Sequence, residues 1–420
     1  ARPVLFVLCT IFAVLAPILP CSAQVMQFTP SFSVSEEYTD NYNQTENDTE
    51  DEFYTTYEAG LTWEYLEKKY RINFNYAPSY VDYDDHDEND SWAHDLNLTG
   101  NLSLDKHTDL NVSESFSRSI RIDQRTGTWQ ETDTNDLSAG LTHQFGKRDK
   151  TGVNMSYSTV RYEDPNDDEY ESYSPSAFLT WWYDLKTGID MSASYDRTEF
   201  DISDNKEDTW SGDIRFIRKI TRHFQVYAKY AHTYSEDDTE EHSVYNPSAG
   251  FDWNVSETSS VSIGAGVLIN RYEEQEDSED LFVDLDVFKT FSFSRRNNLS
   301  ISASSGYEES GTDAASLGFT TYYQAGFNWN YALTKRSDFD LSGSWIRDEY
   351  HEEPVDRLDN TYEASAGISW APLRWMSCNA SYTYTNFQTD AQARDDYEEN
   401  RAEITISLYP YTPKQIKDTP

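Results

Sequence analysis

Paired carboxylates are the first side chains here that could do chemistry. Asp84-Asp85 lies in the acidic stretch Asp82 to Asp90, and similar stretches run from Glu163 to Glu169, Glu236 to Glu241, Glu273 to Asp280 and Glu349 to Asp356. A glycoside hydrolase needs two carboxyls fixed on rigid elements, one with a raised pKa. Acids crowded into hydrophilic runs read instead as solvated loop charges. Asp82 to Asp90 has the acid density of a calcium loop but lacks the central glycine of an EF-hand. The eight His residues are scattered, and there is no His-Glu-x-x-His, Gly-x-Ser-x-Gly or phosphate loop. The reading is therefore not an enzyme: no catalytic residue, no cofactor and no assigned metal ligand. Weak divalent cation binding, bridging the acidic loops to lipopolysaccharide phosphates, is the one ion expectation.

The remaining polar chemistry follows a period of two. Tyr70, Ile72, Phe74 and Tyr76 alternate with Arg71, Asn73 and Asn75, and Leu96, Leu98, Gly100, Leu102 and Leu104 alternate with Asn97, Thr99, Asn101 and Ser103. Val261 to Ile269, Leu299 to Ala303 and Ile404 to Leu408 repeat the pattern. Successive strand side chains point to opposite faces, so each segment has one apolar and one polar face. Short connections, often basic, such as Gly146-Lys147-Arg148-Asp149 and Thr334-Lys335-Arg336, take turns with the longer acidic ones. Short, long, short, long is the connection pattern of an outer-membrane barrel, with periplasmic turns and outer loops. The expectation is an all-β fold: a transmembrane antiparallel up-and-down β-barrel of about 20 strands between residues 26–38 and 397–409, with 18 as the alternative count.

If the apolar faces meet lipid, the alternate residues line a lumen. Its Ser, Thr, Asn and Gly residues are punctuated by charges of both signs. The candidate lumen-lining set is Arg71, Asn73, Asn75, Asp213, Arg215, Lys229, Asp252, Asp284, Asp286, Asp340, Glu363, Arg401 and Glu403. A wall this polar holds water, and about 20 strands leave room for it.

Composition agrees. The formal charge of -42 opposes nucleic-acid binding, which favours basic patches. The 31 Tyr, 21 Phe and 11 Trp oppose acidic disorder. Rings just before the short turns (Trp63, Tyr65, Trp181, Tyr183, Trp253, Trp329, Tyr331, Trp370) and before the long loops (Tyr80, Tyr83, Tyr162, Tyr234, Tyr272, Tyr350) predict two interfacial girdles. A soluble propeller of similar repeat length would carry Gly-His and Trp-Asp blade signatures, which are missing.

The apolar run from Val4 to Ala16 reads as a secretory signal, with candidate cleavage after Ala23. Pro17 and Pro20 oppose an anchoring helix, and Pro20 opposes lipoprotein processing at Cys21. The expected organisation is signal peptide 1–23, barrel 24–410 and a short periplasmic tail 411–420. Cys378 is then the one mature thiol, which excludes an intramolecular disulfide. The expected location is the bacterial cell outer membrane. Expected partners are its lipid and lipopolysaccharide, and the barrel-assembly machinery.

The arrangement resembles the β-barrel porin families associated with bacterial exopolysaccharide export loci. The signal peptide, the acidic-loop hairpins across 26–409 and the ending Tyr397-Glu398-Glu399-Asn400-Arg401-Ala402-Glu403-Ile404-Thr405-Ile406-Ser407-Leu408 carry the resemblance. An Asn-Arg pair often opens the last strand in such proteins. The tail from Pro410 to Pro420 departs from the pattern. The resemblance implies support of polysaccharide export across the outer membrane, with a periplasmic polysaccharide-export protein as partner. The alginate-type exporter is lined with Arg; this wall is not, so a neutral or weakly charged polymer is expected. A general diffusion porin and a non-conducting structural or surface-interaction barrel are the alternatives.

Overall fold

The computed structural model describes residues 25–47, 49–122, 129–162, 169–201, 205–236, 241–272, 277–309, 319–351, 357–390 and 396–410. The expected signal peptide, its Ala23 site and the tail 411–420 lie outside these. So do parts of several acidic loops.

Twenty strands follow one another. The first ten are β1 (Val25–Thr39), β2 (Glu52–Leu66), β3 (Tyr70–Tyr83), β4 (Ser91–Ser103), β5 (Thr108–Ile122), β6 (Trp129–Gln144), β7 (Lys150–Tyr162), β8 (Tyr170–Trp182), β9 (Thr187–Phe200) and β10 (Lys206–Lys219). The rest are β11 (Phe224–Glu236), β12 (Glu241–Ser256), β13 (Ser259–Tyr272), β14 (Ser278–Ser294), β15 (Asn297–Glu309), β16 (Phe319–Ala332), β17 (Ser337–His351), β18 (Arg357–Leu373), β19 (Met376–Thr389) and β20 (Tyr397–Leu408). Each pairs antiparallel with its chain neighbour. β1 then pairs with β20, from Phe32 opposite Leu408 to Thr39 opposite Arg401, and closes the sheet. Closure satisfies the edge N–H and C=O groups that an open sheet would leave bare in lipid. The twenty-strand count is the one the alternation predicts.

Turns at one end are short, and their chemistry is visible. Asp105 accepts the backbone N–H of His107 at 2.6 Å and the Thr108 hydroxyl at 2.9 Å. Asp184 does the same for the N–H groups of Lys186 and Thr187. These backbone hydrogen bonds hold both carboxyls below the ordinary carboxylate range.

Register fixes the facing of every strand. Phe28 opposes Trp63, Trp63 opposes Phe74, and Phe74 opposes Leu98. The same face returns through Ile406, opposite Val34, on β20 and β1. It is the convex face: Met26, Met155 and Ile404 are more than half exposed on it. A single slip in register would exchange the faces, so the closed circuit ties all twenty strands to one apolar exterior. Glu114 of β5 interrupts it. Opposite Leu98 and Leu137, it is almost fully covered, and its Oε2 has no partner among the described residues.

The aromatic girdles need one correction. Trp63, Trp181, Trp253, Trp329 and Trp370 do face outward near the short turns. At the loop end, Tyr80 and Tyr234 face outward, but Tyr83, Tyr162 and Tyr350 share the inner face. Tyr83 opposes Tyr54, and Tyr350 opposes Thr320. Outward rings sit deeper instead, as with Tyr157 against Tyr173 and Tyr195 against Trp210. The strands run on past the membrane interface, so the last aromatic before a loop need not belong to the girdle.

Candidate functional site: the inner wall and mouth of the barrel

The register sets all thirteen candidate residues on the inner face. Arg71, Asn73 and Asn75 alternate down β3, opposite Asn101, Thr99 and Asn97. Arg215 of β10 opposes Lys229 of β11, and Ser262 opposes both Asp252 and Asp286. Asp284 opposes Gly264, Asp340 opposes Asn330, and Glu363 opposes Ser344. Arg401 and Glu403 oppose Thr39 and Glu37 across the closure.

Two clusters form around members of this set. Around Asp252, the Arg215 guanidinium donates at 2.7 Å, Gln225 at 2.6 Å and Ser262 at 2.7 Å. Arg215 also lies over the Tyr227 ring, 3.9 Å from its centroid. Beside the closure, Arg401 pairs with Glu399 at 2.9 Å and Glu37 at 3.2 Å. Arg71, Asn73 and Asn75 are remote from both. Their strand makes its own contact, with Thr62 donating to Asn75 at 3.0 Å.

The alternation, read residue by residue, misses several wall groups. By register the inner face also holds Glu58, Glu64, Asp95, Asp136, Asp196 and Asp348. Lys150 and Arg357 are among the few further bases there. The wall is therefore acidic rather than evenly mixed. A second missed feature is a set of rings packed against glycines. Tyr227 covers Gly250 and Gly264, Phe178 covers Gly152, Trp182 covers Gly188, and Phe282 covers Gly266. Glycine at these places is legible in the sequence, but which ring crosses it is set by cross-strand register.

The mouth is partly roofed. Loop 40–51 is latched to β20: Asn41 donates to the Glu398 carbonyl at 2.8 Å, and Asp40 accepts from Asn400 at 2.7 Å. The next residue, Tyr42, is sandwiched between His86, at 4.4 Å, and Trp129, at 4.3 Å between ring centroids. β2 and β6 are four strands apart, roughly 19 Å along the sheet. Tyr42 also meets the inward ring of Tyr83, so the loop folds in over the mouth. Tyr42 is 3% exposed and Glu52 1%. Burial pushes the Tyr42 phenol up to about 12, so it stays protonated, and Asn89 donates to its oxygen at 2.7 Å. Glu52 accepts the N–H groups of Asp84 and Asp85 and binds His86, which also reaches Glu50 at 3.2 Å. Among the described residues, no three His, Cys, Asp or Glu side chains converge as a metal site.

The hydrogen bond to Glu52 raises the His86 pKa. A raised pKa means that protonation favours the folded loop. The stabilisation is fully present below the pH where free imidazole titrates, and it is lost as pH rises through the higher value His86 has here. Hydrogen exchange of residues 40–51 should therefore be slower near about pH 5 than near about pH 8.5, after correction for intrinsic rates. His86→Ala should flatten that difference. An unchanged pH dependence in the variant would show that His86 is not the latch.

A closed antiparallel barrel with an apolar belt outside and a polar wall inside is an outer-membrane β-barrel, and the molecule resides in that membrane. Solved structures give the same fold. The fold is similar to the ferric enterobactin receptor of Pseudomonas aeruginosa, at TM-score 0.54 and 9% identity over 91% of this chain and 81% of that one. It is similar to the siderophore receptor PirA of Pseudomonas aeruginosa, at TM-score 0.55 and 8% identity over 93% and 81%. A copper transporter, OprC, aligns at TM-score 0.50 and 9% identity over 91% and 80%. No protein-family model matches the sequence, and no curated relative matches it. At such identities the likeness speaks for the fold.

Proposed function

We propose that the barrel is a channel that carries hydrophilic saccharide chains across the outer membrane, as part of polysaccharide export, and disfavours anionic ones. The observation that carries this reading is the inner wall. It is largely hydroxyls and amides, with carboxylates in excess, rings lying against it and a small apolar patch of Val244, Leu268 and Phe282. Hydroxyl and amide groups exchange hydrogen bonds with sugar hydroxyls, rings offer apolar faces, and fixed acids repel a like-charged polymer. Short turns would face the periplasm, where an export protein would meet the barrel, and the acidic loops would face outside. Weak divalent binding at those loops remains part of the proposal. The siderophore and copper specificities of the similar receptors belong to those proteins.

Proteoliposomes loaded with neutral dextran oligomers or with oligogalacturonate of matched length test the reading. Dextran should escape through the channel while oligogalacturonate is retained. Asp284→Asn with Asp286→Asn should narrow the difference. Retention of both, or equal escape of both, would overturn the proposal. A general diffusion porin is the second reading, favoured by the spread of polar groups over the whole wall. It predicts a sharp size limit, with long dextrans retained.

A further inference from the structure

The two ends of the barrel treat their basic residues differently. At the loop end, arginines are neutralised within the chain. Arg118 pairs with Asp133 at 2.6 Å, Arg197 with Glu199 at 2.7 Å, and Arg347 with Glu349 at 2.6 Å. At the turn end, eight of the nine turns carry a Lys or Arg, and only the β12–β13 turn, Glu257-Thr258, does not. These turn bases are exposed. Lys147, Arg222 and Arg295 make no ion pair with a described residue.

At five of the nine turns the base also has an apolar companion. Phe145 precedes Lys147 by two residues, Ile220 precedes Arg222, and Phe293 precedes Arg295. These apolar residues continue the outward face of their strands and are 50%, 52% and 65% exposed. Leu104 with Lys106 and Leu333 with Lys335 repeat the spacing. An apolar side chain turned outward at the strand end, then a cation on the exposed turn just beyond it, follows the order of hydrocarbon and phosphate in a bilayer leaflet.

From this pattern we propose that the turn end is a binding collar for anionic phospholipid headgroups of the leaflet it meets. The inference rests on the membrane-spanning reading and goes beyond the channel. The spacing recurs around the circumference, from the β4–β5 turn to the β16–β17 turn, as an annulus of lipid requires. An acidic protein docked on one side would need a local patch. The apolar partner of each couple also points sideways from the barrel rather than down from its rim.

The full barrel, reconstituted in nanodiscs of phosphatidylcholine with a minor fraction of phosphatidylglycerol, provides the test. The probe lipid is phosphatidylglycerol, and the readout is its enrichment among lipids retained on the barrel by native mass spectrometry. Enrichment of about five-fold per engaged base is expected. The variant Lys106→Gln, Lys147→Gln, Arg222→Gln, Arg295→Gln, Lys335→Gln should lose the preference while still inserting with unchanged strand content. Successful insertion keeps the membrane reading intact whatever the lipid result. No enrichment in the parent protein, or equal enrichment in the variant, overturns the collar. That holds even if the variant also loses association with an acidic periplasmic protein, which would mark a protein dock instead.

Discussion

Arginine at Ile263 is expected to cost the barrel about 2–4 kcal/mol, whereas arginine at the adjacent Ser262 costs far less. Ile263 stands in the apolar face, between Phe251 and Leu285. An arginine there must carry its charge through hydrocarbon or bend to the interface, and both are unfavourable near the midplane. Ser262 points the other way, donating to Asp252 at 2.7 Å. Arginine there enters a wall rich in carboxylates. The two sites are neighbours, so depth is nearly matched and facing is the variable. Leu98→Arg against Asn97→Arg repeats the comparison on β4, where Asn97 opposes Asn75 and Ser115. Reversible urea unfolding in detergent or lipid vesicles reads the difference. Equal losses within each pair would mean that neither face meets lipid.

A single methyl group at Gly250 is expected to destabilise the sheet by about 3 kcal/mol, the upper part of the range for overpacking. A Cβ there would run into the backbone carbonyl of Ile263, and it would come within 2.7 Å of both the Gly264 Cα and the Tyr227 ring. Two of those three are main-chain atoms of the paired strand and cannot swing away. Gly367 is the control: a Cβ there meets nothing nearer than the Ala380 carbonyl at 3.7 Å. Gly367→Ala should be neutral or slightly stabilising, because it restricts the unfolded chain. Gly264→Ala should fall between the two, since its nearest obstacle is the hydroxyl end of Tyr227. Denaturation midpoints of the three variants check the order. Equal midpoints for Gly250→Ala and Gly367→Ala would show that the Ile263 carbonyl, the Gly264 backbone and the Tyr227 ring do not close on Gly250 in this way.

The barrel was legible because facing follows directly from a period of two. Once Ile72, Phe74 and Tyr76 are placed outside, Arg71, Asn73 and Asn75 must lie inside, whatever the neighbouring strand does. Strand count was legible because turns announce themselves, as Asp105-Lys106-His107 and Asp184-Leu185-Lys186 do through the side-chain to backbone hydrogen bonds that an aspartate makes two residues on. Features that need two strands at once were not. Which residue meets Asp252, and which ring covers Gly250, depend on registers between separate hairpins. The mouth was least legible of all. Tyr42 and Trp129 are 87 residues apart in numbering and belong to different hairpins, and nothing in either local pattern pairs them. The misassigned Tyr83 and Tyr350 have a related cause: nearness to a loop says how high a ring sits, not which way it points.

Single-channel recording in a planar bilayer tests the central claim most directly, that the polar inner face encloses a water-filled, acid-lined path across the membrane. Discrete conductance steps are predicted on insertion. Under a salt gradient the reversal potential should report cation preference, reduced in the Asp284→Asn, Asp286→Asn variant. Folded barrel that inserts yet passes no current, or that prefers anions, would contradict the account.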